Sequence, residues 1–244
     1  MSISLPPEIF DLIVEHLCEE RTTLKVCCVV AKSWVLRARR HLFARVEFAN
    51  ESSVESWMKA FPDPPNSPAH HTRDLSIRGT PGVTVATAIS RPWFRAFSNI
   101  VHLTVETNIW DDSQTSLVPL HALSPTLKSF SLVHGSIPSS EVFNFIYSFP
   151  SLEDLSLVSI GGGEVDASTL PLTSPRFTGS LSLMMRHGIQ SNICRLIALP
   201  GGLNFTEIWV GCLLEELESV TSLVSACCNT LESLTVMVYH SGAF

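Results

Sequence analysis

Short apolar segments recur along most of the chain at a nearly constant spacing. Seven of them place one residue between two apolar residues, and they start at residues 75, 103, 130, 155, 181, 208 and 234. The intervals between these starts are 28, 27, 25, 26, 27 and 26 residues, and an eighth segment, residues 46–48, precedes the first by 29. Such alternation is typical of a strand with one buried face. The period predicts a solenoid in which each unit adds one strand to a common sheet.

The stretches between these segments carry apolar residues at helical spacing. They predict helices after Ser52, after Ser139, over 189–197 and over 217–224. Ser52-x-x-Glu55 has the form of a capping box for the first of them. The Pro-rich residues 61–72 are predicted to form an exposed loop, and 160–165 a flexible turn. One strand and one helix per unit predict an α/β repeat with parallel strands and right-handed connections.

The first 44 residues have a different pattern. Pro6 and Pro7 suit the first turn of a helix, and apolar residues follow at helical spacing. Thr22 or Thr23 is a plausible N-cap for a second helix, and Trp34 begins the apolar positions of a third. Three short helices in about forty residues are close to the lower limit for independent stability. The pattern therefore predicts a docking module that association with a partner stabilises, and the alternative is a helical cap of the following domain that needs no partner.

Composition and charge narrow the class of protein. The chain has 244 residues, a net charge of −7, 45% hydrophobic residues and 16% charged residues, against about 25% charged in typical soluble domains. Seven bases lie in residues 21–45, without interleaved aromatic residues for base stacking, which favours a solvated face or an acidic protein partner over nucleic acid. No membrane span or secretory signal is evident, and we expect a cytoplasmic or nuclear protein.

No catalytic or metal motif stands out. The seven cysteines include no C-x-x-C and are read as small buried residues in a reducing compartment. His70 and His71 lack an acid or cysteine at ligand spacing, and Gly161–Gly163 lacks the phosphate-loop spacing. We therefore expect no metal, no cofactor and no enzymatic activity, while a hydrolase without a recognisable motif stays open as an alternative.

The N-terminal residues carry a family resemblance. "LPPEIFDLIVEHL", a second apolar helix, Lys32-Ser33-Trp34 and "RRHLFARV" follow one another in the order found in an F-box, which residues 4–44 resemble. The resemblance implies an F-box domain over residues 1–44 that binds a Skp-type adaptor and, through it, a cullin. The residues implied in adaptor binding, directly or by shaping the helices, are Leu5, Pro6, Ile9, Ile13, Leu17, Leu24 and Trp34.

Residues 45–244 resemble a degenerate leucine-rich-repeat array. Apolar residues stand three positions before most of the repeated segments, although Phe177 stands one position too early. Of the positions where the family has a buried asparagine, Asn108 alone carries one. These departures predict an irregular solenoid. After the seventh segment no polar capping unit is evident, which predicts truncation at the C-terminus.

Strand alternation predicts which side chains face outward. The third residues of the seven strands are Ser or Thr except for Trp209, and an outward aromatic residue indicates an interface anchor. The alternative is that Trp209 is covered by a neighbouring segment or turned inward by irregular register. The hypothesis is a target-binding site with an apolar centre and a charged flank, formed by Val158, Met184, Trp209 and Met237, with Arg78 and Glu106 on the flank.

Together these patterns favour a non-catalytic substrate receptor of a Skp–cullin–F-box ubiquitin ligase. The receptor would hold an unknown target protein near the ligase core. The alternatives are a leucine-rich-repeat scaffold without a ubiquitin role and an unrecognised hydrolase.

Overall fold

The structure is a computed structural model that describes most of the chain. The described residues are 6–30, 32–78, 91–106, 117–123, 125–133, 137, 139–158, 175, 177–184, 189–199 and 201–239. Leu5, Asn108 and the turn predicted over 160–165 lie outside them.

Eight strands form one parallel sheet, and their order in the sheet is their order in the chain. The strands are β1 Arg45–Phe48, β2 Asp74–Arg78, β3 His102–Glu106, β4 Ser129–Val133, β5 Asp154–Val158, β6 Ser180–Met184, β7 Glu207–Leu213 and β8 Ser233–Tyr239. Every repeated apolar segment lies in one of them. The predicted parallel α/β arrangement with one strand per repeat is therefore confirmed.

The strand register aligns the apolar side chains into two continuous inward rows. One row runs from Leu75 through Leu103 and onward to Ile208, and the other from Ile77 through Val105 to Val210. These side chains are buried, whereas the residues between them face the other side of the sheet and are at least partly exposed. At β8 the same rows continue with Leu234 and Val236, which are exposed.

After β1, described α-helices lie between most neighbouring strands and cover the inward rows, and the 3-10 helix Val118–Ala122 lies between β3 and β4. The described helices are α1 Pro7–His16, α2 Arg21–Val30, α3 Lys32–Leu42, α4 Glu51–Ala60, α5 Arg91–Ala96, α6 Ser139–Tyr147, α7 Ile189–Ile197 and α8 Leu217–Ala226. Apolar side chains of α4 to α8 share one core with the inward strand residues, which confirms the four helices predicted between the strands. None of the described helices is both long and apolar enough to cross a lipid bilayer.

Two predicted helix starts are wrong in detail. The N-cap of α4 is Asn50, whose side chain accepts a hydrogen bond from the backbone N–H of Ser53, while the Ser53 hydroxyl accepts one from the Asn50 N–H. Helix α2 begins at Arg21, before Thr22, and its Thr23 hydroxyl donates to the Glu20 carboxylate at 2.8 Å instead of capping the helix. Short polar side chains cluster at both starts, and the one that caps is fixed by where the chain enters the helix.

The Pro-rich stretch is not the exposed loop that its composition predicts. It forms two short 3-10 helices, Pro64–Asn66 and Pro68–His71. Ser67, Pro68, Ala69 and Thr72 are buried, because this segment packs between α3 and the first repeat. Here tertiary packing overrides a local composition that is typical of loops.

The N-terminal helices have a separate, much smaller core. Val14, Leu24, Cys27 and Ala38 are its fully buried apolar residues. Between the two cores lies a polar joint, in which Arg21 donates hydrogen bonds to the backbone carbonyls of Leu42 and Arg45 at 3.5 and 3.3 Å. Beside it the Phe43 ring packs edge-on against Trp57 and Phe61 of the repeat region, at 5.8 and 5.6 Å between centroids. The domain boundary predicted near residue 44 stays a prediction.

An irregularity before β6 has a conformational cause. The buried Phe177 has φ of +41°, the left-handed region that residues other than glycine rarely adopt. This turn brings the Phe177 ring to within 5.0 Å of the Phe205 ring in the next repeat, measured between centroids. The one-position offset seen in the sequence is thus taken up by the backbone, and β6 keeps its register with β5 and β7.

Candidate protein-docking surfaces

Helix α1 presents apolar side chains to solvent. Leu12 is 61% exposed, and Ile9 and Ile13 are also exposed. Together with His16 and Leu17 they line a shallow groove of about 450 Å³, which we call the α1 groove. The side chains recur every three or four residues, so one stripe of the helix forms the groove while the opposite stripe, with Val14, enters the core. An apolar stripe of this kind on a small module indicates a contact surface.

The residues predicted to serve adaptor binding fall into two groups. Pro6 is exposed at the N-cap of α1, Ile9 and Ile13 are exposed in the α1 groove, and Leu17 is half-buried at its end. Leu24 is completely buried, and Trp34 packs against the small core with its ring 5.4 Å from that of Phe10. Leu24 therefore cannot touch a partner and can only shape the helices. In the sequence, Leu24 and the exposed Ile9 and Ile13 are all apolar residues at helical spacing, so the pattern alone does not separate buried from exposed positions.

Exposed apolar residues that the prediction omitted add to the surface of the module. Leu12 lies within the α1 groove, and Val29 on α2 is 82% exposed. The helical spacing of Ile9, Leu12 and Ile13 was a signal that could have found Leu12. Val29 follows several apolar residues in α2, so its exposure could not be read from the pattern.

The basic residues of the module are partly used within the chain. Arg37 pairs with Asp11, Arg21 serves the polar joint, and Arg45 approaches Glu19 at 3.4 Å. Arg39 and Arg40 are exposed on α3. His71 lies on the segment that packs against α3. Desolvation of its imidazole, reinforced by nearby positive groups, lowers its pKa and so disfavours its charged form. The predicted acidic partner would thus meet fewer bases than the sequence count implies.

The side of the sheet opposite the helices forms the second surface, which we call the open face. Its side chains are the alternate residues of each strand, counted from the first, and the third residues stand in one row. Trp209 lies in that row between Ser182 and Thr235 and is partly exposed. The alternative that Trp209 turns inward is therefore wrong, because its neighbours Ile208 and Val210 occupy the inward rows.

An apolar patch surrounds Trp209 on β5 to β8. Val158 pairs with Met184, Met184 with Gly211, and Gly211 with Met237, so three of the predicted residues share one row across four strands, and Trp209 lies in the adjacent row. A Cβ atom on Gly211 would lie 2.9 Å from Cε2 of Tyr239, so the tyrosine ring covers this glycine. Tyr239 was missed because β8 has seven residues instead of the expected five. We call Val158, Met184, Trp209, Met237 and Tyr239 the apolar patch.

The charged residues predicted to flank the patch lie together but at a distance from it. Arg78 Nη1 is 3.2 Å from Glu47 Oε1, and Arg78 Nε is 3.2 Å from Glu106 Oε2. These residues stand on β1, β2 and β3, whereas the patch begins on β5. Since neighbouring strands lie about 4.8 Å apart, Glu106 is about 10 Å from the patch. Arg78 and Glu106 thus form a separate ion-pair ladder on the same face.

Three candidate chemical features of the sequence were the glycine run, the histidine pair and the cysteines. Gly161–Gly163 lies outside them. The rings of His70 and His71 lie 3.9 Å apart, but within the described ranges no group of three His, Cys, Asp or Glu side chains could hold a metal ion. Burial raises the pKa of the Cys212 and Cys227 thiols, which makes them poor nucleophiles.

No protein-family profile matches the chain, and no curated protein matches it either.

Proposed function

We propose that the protein is the substrate receptor of a Skp–cullin–F-box ubiquitin ligase. In this proposal α1 to α3 form an F-box and the sheet with its helices is a leucine-rich-repeat solenoid. The observation that carries it is that two separate apolar surfaces, the α1 groove and the apolar patch, belong to units with separate cores. Such a chain can bind two proteins at once.

The small N-terminal core supports the role of α1 to α3 as a docking module. Four fully buried residues give little hydrophobic stabilisation, while Ile9, Leu12 and Ile13 remain in water. An adaptor that covers these side chains would remove apolar surface from water, which is favourable by about 25 cal/mol per Å² of surface buried. Binding would also stabilise the folded helices.

The receptor role requires proximity and not catalysis. A target held on the open face and a ligase core held at α1 turn ubiquitin transfer into an effectively intramolecular step. The proposal assigns no catalytic residue, needs no cofactor, and puts the protein in the cytoplasm or nucleus, where such ligases act. A scaffold without a ubiquitin role would use the open face alone, so adaptor binding separates the two functions.

Replacing Ile9 and Ile13 together by glutamine is expected to weaken binding of a purified Skp-type adaptor at least tenfold. Both side chains are exposed in the α1 groove, so the double variant removes contact surface while the buried Val14 and Leu24 keep the helices packed. The measurement is calorimetric titration of adaptor into each protein, with circular dichroism to compare helix content.

A matched control is the double variant Val118→Gln with Leu214→Gln. These residues are similarly exposed apolar side chains, but they lie in the repeat region, so adaptor binding should be unchanged. Adaptor binding that survives the Ile9 and Ile13 changes, or that is absent from the wild type, would contradict the proposed function.

A further inference from the structure

The open face carries more acid than base. Its described first, third and fifth strand residues include two arginines, Arg45 and Arg78, and five carboxylates: Glu47, Asp74, Glu106, Asp154 and Glu207. A face with this balance repels nucleic acid and anionic lipid surfaces and attracts cationic groups.

Both arginines are already matched by neighbouring acids. Arg78 lies between Glu47 and Glu106, at 3.2 Å from each. Arg45 lies 3.4 Å from Glu19 and 3.9 Å from Asp74. These groups satisfy one another on β1 to β3, so this half of the face offers little charge to a partner.

The half of the face that holds the apolar patch is different. Its strands, β5 to β8, carry Asp154 and Glu207 and no lysine or arginine. The Oδ1 atom of Asp154 accepts hydrogen bonds from the backbone N–H and hydroxyl of Ser180, at 2.7 and 2.8 Å, which fixes that carboxylate in place. Glu207 is exposed on the strand next to Ser180.

On this half of the face, the charged and the apolar side chains lie at different positions along the strands. Glu207 precedes Trp209 by two residues, a distance of about 7 Å along a strand, and the row of Val158 and Met184 lies about 7 Å further on. A partner that covers Trp209 and Met184 would thus bring a second group to Glu207. Lys128, whose backbone carbonyl accepts from the Asp154 N–H, has its ammonium group 2.8 Å from Glu153 and is thus matched by another acid. Acid at one end of the patch, on strands without lysine or arginine, favours a positive group there.

We propose that the target-binding segment joins a large apolar side chain, seated on Trp209 and Met184, to a lysine or arginine that reaches Glu207 and Asp154. This inference deepens the proposed function by naming the chemistry of the target, and it rests on the open face being the target site. The basic residue supplies specificity and faster association, while the apolar residue supplies most of the affinity.

The test is selection of binders from a random dodecapeptide display library on the purified full chain. Lysine and arginine should be enriched over aspartate and glutamate, beside an aromatic or long aliphatic residue. For a synthetic copy of the best peptide, Glu207→Lys should weaken binding about tenfold and Glu207→Gln about threefold. Raising NaCl from about 50 to about 300 mM should weaken wild-type binding more than that of Glu207→Lys.

Glu55→Lys serves as the charge-matched control, since Glu55 is an exposed acid on the helix α4 and not on the open face. This variant should bind the peptide with wild-type affinity. Selected peptides that are acidic or neutral, peptides that bind Glu207→Lys as well as wild type, or a selection without binders would each overturn the inference. These outcomes leave the proposed function standing if the adaptor still binds. Loss of adaptor binding alone would remove the ligase role without affecting the peptide result.

Discussion

Phe145→Ala is expected to lower the free energy of unfolding by about 3–5 kcal/mol, the cost typical of deleting a fully buried aromatic side chain. Phe145 has no exposed surface, and its ring centroid lies 4.8 Å from those of both Phe130 and Phe149. It therefore joins α6 to the inward row of β4 in the middle of the sheet. Urea denaturation followed by circular dichroism would measure the change.

The neighbouring change Asn144→Ala provides the control for Phe145. Asn144 is exposed on the same helix, and its replacement should change the free energy of unfolding by less than about 0.5 kcal/mol. A loss below about 1 kcal/mol for Phe145→Ala would mean that α6 does not pack on the sheet as described.

Trp209→Ala is expected to weaken target capture by about 2 kcal/mol or more, roughly a thirtyfold loss, and to leave adaptor binding intact. The indole is the largest outward side chain in its row and lies between Ser182 and Thr235, so its loss removes the centre of the apolar patch. Quantitative affinity purification would compare partners bound by wild type and variant, with the co-purified adaptor as internal standard.

Thr235→Ala is the matched control for Trp209, because Thr235 stands beside it in the same row of β8 and offers a small side chain. Its partners should be recovered in wild-type amounts. If Trp209→Ala loses the adaptor as well, the residue is structural. If the variant keeps every partner, the apolar patch is not the target site.

The arrangement of the sheet could be predicted because one local pattern decides it. Apolar residues two apart in each repeat, such as Leu155 and Leu157, can be buried together only if the strand presents that face to the helices. Repetition at a fixed period then leaves little choice of order or direction. The outward position of Trp209 follows from the same alternation.

Features that depend on contacts between distant segments could not be predicted. Ile13 and Leu24 are both apolar helical residues, and only the packing of three helices exposes one and buries the other. Pro68 and Ala69 read as loop residues, yet α3 covers them. Tyr239 joined the patch because β8 continues beyond the repeated segment, a length that β7 sets by pairing with it to the end.

The left-handed turn at Phe177 has a consequence for how such a chain can evolve. A left-handed residue other than glycine costs about 1–2 kcal/mol, which burial of the phenylalanine ring offsets. A single-residue insertion or deletion between two strands can thus be absorbed in the connection, while Ser182 stays paired with Ser156 and Trp209. Connections can therefore change length across generations without shifting the outward rows, and each outward side chain can be exchanged by point mutation alone.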